Sequence, residues 1–148
     1  MRLAFRSAVK RGRRSERGAV AVEFAILLPV FLLLAFGICD FGHAYYMKQV
    51  VTNASRDGAR YGSLYSTALP NTFSPTISAW VTSKYASVLP ADANLQVTPG
   101  GTGYTSGTTG DDISVQVTAT KHWWVVGSLI PGLGATQDVS ATTWMKVE

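Results

Sequence analysis

The feature that most constrains the fold of this chain is an apolar stretch near its amino terminus, residues 19–39. Its only breaks in apolarity are Glu23, Pro29 and Gly37, and no charged residue follows Glu23 within it. A helix needs about 20 apolar residues to cross the hydrocarbon layer of a membrane. The sequence therefore predicts a transmembrane helix over residues 19–39.

The charges on either side of this stretch predict its direction. Residues 1–18 contain seven basic side chains and one acidic one, whereas residues 40–148 contain six basic and seven acidic side chains. Basic flanks stay in the cytoplasm, so residues 1–18 are predicted to be a cytoplasmic leader and the body to be extracytoplasmic. The nearly neutral body offers no electrostatic footprint for nucleic acid.

The position of Gly18, directly before the apolar stretch, predicts how the leader is removed. A secretory signal is disfavoured because the stretch is long, contains a charge and precedes no small-residue cleavage site. A cut after Gly18 would remove the leader and leave a new α-amine on Ala19, one helical turn from Glu23. That amine, from the same chain or a neighbouring subunit, would give Glu23 a positive partner near the membrane. Alternatively, the Glu23 carboxylate reaches the cytoplasmic headgroups.

Two motifs carry a resemblance to a known family. Gly18, Ala19 and Glu23 resemble the type IV prepilin cleavage pattern, and GAVAVEFAILLPVF with NASRDGARYG resembles the TadE-like family, pseudopilin-type components of the Tad (Flp) pilus. Phe24 stands where the major pilins of that system carry tyrosine, which favours a minor component. The resemblance implies processing by prepilin peptidase, contacts with other pilin and pseudopilin subunits, and a bacterial inner-membrane location. It also implies processing or assembly roles for Glu23 and Phe24.

The remaining sequence predicts an α+β fold. Residues 40–65 keep a helical apolar period and should extend the membrane helix, and residues 66–148 should form an extracytoplasmic domain. A second helix is predicted from Ile77 to before Pro90. Alternating residues predict an antiparallel sheet of about three strands, near 95–97, 113–119 and 139–147. The middle strand is predicted to continue to Val126, and the glycine-rich segment before it, residues 99–112, to be a loop or a flexible hairpin tip.

Several side chains have two interpretations in the sequence. Arg56, Asp57 and Arg60 form either a subunit contact or a solvated helix face with local ion pairs. The tryptophans are expected to pack in the core or on the sheet rather than to form a ligand cage. They are Trp80, Trp123, Trp124 and Trp144.

No arrangement of residues predicts catalysis, a metal site or a cofactor. His43 and His122 are far apart in sequence, Cys39 is the only cysteine, and no nucleophile stands beside a base. The segment 104–110 imitates a phosphate-binding loop but lacks the lysine such loops require. We predict a structural protein rather than an enzyme. The alternative is an uncleaved single-pass protein whose outer domain binds a ligand at the cell surface.

Overall fold

A computed structural model of the chain describes residues 12–64 and 74–148, with side chains from residue 18 onward. Its elements, in chain order, are α1 Gly12–Leu64, α2 Ile77–Tyr85, β1 Gln96–Gly100, α3 Thr102–Ser106, β2 Asp112–His122, α4 Val126–Leu129 and β3 Thr136–Lys146. The predicted α+β fold, with a long amino-terminal helix and a three-stranded antiparallel sheet, is confirmed. Most of the predicted leader 1–18 and of the predicted loop 66–75 lies outside the described residues.

The sheet has the order β1-β2-β3, with both pairs antiparallel. Val117 in the central strand lies opposite Val97 of β1 and Ala141 of β3. Because successive side chains of a strand alternate between faces, β2 places one row on the face that α1 covers. That buried row is Ile113, Val115, Val117, Ala119 and Lys121.

The outer half of α1 packs along this row. Met47, Val51 and Ala54 recur at helical spacing and are at most 1% exposed. Strand β2 runs antiparallel to the helix, so that the far end of α1 meets the start of β2 and Asp40 meets its end. The helix that leaves the predicted membrane span therefore becomes the central element of the outer domain.

Close approach of α1 to β2 requires glycine at position 62. A Cβ atom on Gly62 would lie 2.5 Å from Cδ1 of Ile113 and 3.0 Å from Cδ1 of Ile77. Both isoleucines are 1% exposed and belong to the hydrophobic core cluster. Gly42, in the same helix, would meet nothing within 4 Å.

We expect Gly62→Ala to lower the free energy of unfolding and Gly42→Ala to raise it. Overpacking costs about 1–3 kcal/mol, which outweighs the gain of about 1 kcal/mol in helix propensity that both substitutions share. Urea unfolding of the full chain in detergent, followed by near-ultraviolet circular dichroism, measures the difference. Equal shifts for the two variants would contradict a tight contact at Gly62.

The structure corrects the predicted extent of the middle strand. Strand β2 ends at His122 instead of continuing to Val126, and the short helix α4 follows. The backbone N–H groups of Trp124, Val125 and Val126, which a strand would donate to a neighbour, donate instead to the carboxylate of Asp40. The glycine-rich segment also contains one short helix, α3, that was predicted as loop.

The prediction that the tryptophans pack in the core or on the sheet is wrong for Trp124, whereas Trp144 lies on an exposed face of the sheet. Trp80 and Trp123 are partly buried, but Trp124 is 65% and Trp144 is 64% exposed. Trp144 lies on the row of β3 that faces away from α1, and Trp124 lies beyond the end of β2.

Candidate processing and assembly site

The predicted cleavage site lies on the first part of α1 that has described side chains. Gly18, Ala19, Glu23 and Phe24 are all exposed there, and the Gly18–Ala19 peptide bond lies inside the helix. Glycine within a helix lowers its stability by roughly 0.5–1 kcal/mol relative to alanine. Gly18 therefore makes the backbone at this bond easier to unwind than an alanine would.

Glu23 has no charged partner within residues 18–64 and 74–148. Ala19 precedes it by four residues in a continuous helix, so the two positions lie on the same face, about one turn apart. This spacing is compatible with pairing between the Glu23 carboxylate and an α-amine at Ala19. Both that pairing and the headgroup alternative for Glu23 stay predictions.

The part of α1 that follows Glu23 is an exposed apolar surface. Within the described residues, α1 is the one helix long and apolar enough to cross a membrane, and its most apolar window is not buried by the domain. Phe24, Leu27, Leu28 and Phe31 line an open apolar groove of about 360 Å³ on it. A surface of this size is unfavourable in water, so lipid or neighbouring subunits must cover it. The helix is compatible with a single-pass membrane anchor.

A buried ion pair lies where this surface meets the outer domain. Asp40, the first residue after the predicted span, is paired with Lys121 of β2 at 3.2 Å, and both side chains are completely buried. The Asp40 carboxylate also accepts hydrogen bonds of 2.9–3.2 Å from the backbone N–H groups of residues 124–126. Lys121 donates a second hydrogen bond to the carbonyl oxygen of His122. The pair therefore joins α1, the end of β2 and the start of α4.

The donors around Asp40 keep its carboxylate charged despite burial. Burial raises the pKa of Asp40, but the three backbone N–H groups and Lys121 lower it by more, so that its pKa lies well below the usual range. The ammonium of Lys121 also lies 4.9 Å and 5.1 Å from the ring centres of Trp123 and Trp124, within the range of cation–π attraction. Each buried charge is thus compensated by several partners.

Sequence reasoning missed this pair, although both residues carried a signal. Lys121 is in phase with the apolar row of β2, and Asp40 lies seven residues before Met47, on the same helix face. A charge that occupies a core position on each of two elements indicates a buried pair.

The comparison with known families matches the part of the chain that contains the predicted cleavage site. Residues 18–60 match the family model described as TadE-like protein. The amino-terminal part of this chain is TadE-like. The resemblance predicted from the sequence is confirmed over that range, which contains Gly18, Ala19, Glu23, Phe24 and Asp40. The TadE-like match over residues 18–60 suggests a component associated with the Tad pilus. Comparison with curated proteins and with solved structures gave no match.

The far end of the TadE-like segment carries a second charged cluster. Asp57 accepts hydrogen bonds of 2.6 Å from Lys84 Nζ and from the Tyr85 hydroxyl, both contributed by α2. Arg60 and Lys84 line an open cleft of about 250 Å³ beside the stacked rings of Tyr61 and Trp80. Asp57 thus forms a local ion pair within the domain.

This cluster predicts an unusual tyrosine titration. Burial and then the hydrogen bond to Asp57 raise the pKa of Tyr85 to about 12. We expect the phenolate absorbance difference between wild type and Tyr85→Phe to have a midpoint near that value, and Asp57→Asn to lower it toward about 10. Because the folded pKa is raised, the associated stabilisation is complete below about pH 10 and lost as pH rises toward 12. A wild-type midpoint near 10 would contradict the contact.

Proposed function

We propose that this chain is a minor pilin-like or pseudopilin-like structural or assembly component of a Tad pilus or a related secretion apparatus. It is inserted in the bacterial inner membrane with residues 1–18 in the cytoplasm, residues 19–39 in the bilayer and the rest outside. Prepilin peptidase cuts it after Gly18. Phe24 and the groove around it then pack against other pilin or pseudopilin subunits.

The observation that carries this proposal is the division of α1 into two halves within one TadE-like segment. The first half exposes nearly all of its apolar side chains and begins with Gly18, Ala19 and Glu23. The second half is the centre of the domain core. A subunit built in this way offers a membrane and packing surface on one half of the helix while the other half holds a folded domain.

The decisive experiment is the intact mass and amino-terminal sequence of the full chain from cells with and without prepilin peptidase. We expect a mature chain that begins at Ala19 only when the peptidase is present, and we expect Gly18→Val to block its formation. Gly42→Val is the matched control, because it is the same change in the same helix at an open position. A chain that keeps residues 1–18 in both strains would overturn the proposal and favour the uncleaved anchored binding module.

A further inference from the structure

A loop of the outer domain exposes apolar side chains that its core does not use. This apolar loop, residues 123–135, contains no charged residue. Within it Trp124 is 65%, Leu129 is 48% and Ile130 is 47% exposed. Clustered exposed apolar side chains are typical of surfaces that contact another molecule or a membrane.

The apolar loop lies beside the end of the predicted span. Cγ2 of Val126 lies 4.0 Å from the position that a Cβ atom on Gly37 would occupy, and the rings of Trp123 and Phe41 are 5.6 Å apart. Gly37 is two residues inside the carboxyl end of residues 19–39, which corresponds to about 3 Å of helix. The loop thus reaches the level at which the helix is predicted to enter lipid.

Exposed aromatic side chains of α1 lie near the same level. Phe41 is 56%, Tyr45 is 68% and Tyr46 is 47% exposed. Tryptophan and tyrosine are enriched where a membrane meets water, because their rings are apolar and each has one polar group. Together with Trp124, these residues have the composition of an interfacial aromatic belt.

We propose that the apolar loop is a second membrane contact, seated in the outer interface of the bilayer that α1 crosses. This inference rests on the membrane anchoring included in the proposed function. Lipid is favoured over a second copy of the chain because the loop adjoins the membrane helix and has no charge to select a protein partner. The nearest charges, Asp40 and Lys121, are turned inward and completely buried.

Fluorescent probes at single cysteines test this contact in the full chain. In a Cys39→Ser background, Ile130→Cys places a probe on the apolar loop and Leu27→Cys places one in the span. Thr109→Cys places the control probe at the other end of the domain, where Glu148 contacts Ser63. Each labelled chain is reconstituted in phosphatidylcholine vesicles. The fluorescence of its probe is then measured with nitroxide-labelled lipid as one quencher and, separately, with iodide on both sides of the membrane as the other.

We expect the probe at position 130 to be quenched by lipid nitroxide and protected from iodide, and the probe at position 109 to show the reverse. If the probe at position 27 is not quenched by lipid, the anchoring itself is wrong and the proposed function fails. If position 27 is quenched but iodide reaches position 130 as readily as position 109, only the loop contact is overturned. Protection of position 130 from both quenchers would also overturn it and indicate a protein cover.

Discussion

Asp40→Ala is expected to lower the free energy of unfolding of the outer domain by about 3–5 kcal/mol, because it leaves Lys121 buried without its partner. It also removes the acceptor for three backbone N–H groups at the start of α4. Unfolding of the full chain in detergent by urea, followed by tryptophan fluorescence, measures the loss. The effect should be the largest of any single carboxylate in the described domain.

Two further variants distinguish the effect of losing the buried ion pair on stability from the effect of losing any one negative charge. Asp92→Ala removes a carboxylate that is 62% exposed and lies 3.9 Å from His122, and should change stability by no more than about 0.5 kcal/mol. Asp40→Leu combined with Lys121→Met should recover only part of the stability lost by Asp40→Ala, because it removes the unpaired buried charge but leaves the backbone N–H groups of residues 124–126 without their acceptor. Equal losses for Asp40→Ala and Asp92→Ala would contradict the role of the pair.

Glu23→Gln is expected to reduce assembly with other pilus subunits by about tenfold or more while the chain stays in the membrane. After cleavage, the α-amine of Ala19 would lack a carboxylate, and because Ala19 begins the span its unpaired charge would cost less than the roughly 2.5–3.5 kcal/mol of a charge at the bilayer centre. Even half of that cost corresponds to roughly tenfold in an equilibrium constant. The measurement is the fraction of mature chain that co-purifies with the other subunits after crosslinking.

The matched control for Glu23 is an exposed carboxylate of the outer domain. Asp92→Asn makes the same change from carboxylate to amide at a side chain that is 62% exposed and should assemble nearly as wild type, whereas Glu23→Asp should retain part of the function. Intact mass of each variant separates a cleavage defect from an assembly defect. If mature Glu23→Gln assembles as efficiently as wild type, the carboxylate reaches the headgroups and does not pair with the amine.

The elements that the sequence predicted are those whose hydrophobic pattern lies within one continuous segment of the chain. The long helix α1, the second helix and the alternating strands follow from hydrophobic periodicity, and the apolar stretch 19–39 required no tertiary information. Gly18 and Glu23 were identifiable because a short motif contains both. Their roles stay predictions, since neither residue has a contact within the described structure that tests them.

What escaped prediction depends on contacts between distant residues. Asp40 and Lys121 are 81 positions apart, and only the packing of α1 on β2 brings them together. The same contact explains why β2 ends at His122, because a buried carboxylate competes with strand pairing for the backbone of residues 124–126. Local propensity favoured a strand through Val126, but tertiary structure overrides propensity where such an acceptor is present.

The unbroken path of α1 has a consequence for the direction in which the outer domain faces. The described helix contains no break between Gly12 and Leu64, and the sheet packs directly on its outer half. Pro29 lies inside the membrane half and removes one hydrogen bond of the helix, so a turn about the helix axis between Pro29 and Asp40 turns the domain through the same angle. One residue of α-helix corresponds to about 100° of rotation, so the number of residues between Pro29 and Asp40 sets the direction in which the domain faces its neighbouring subunits.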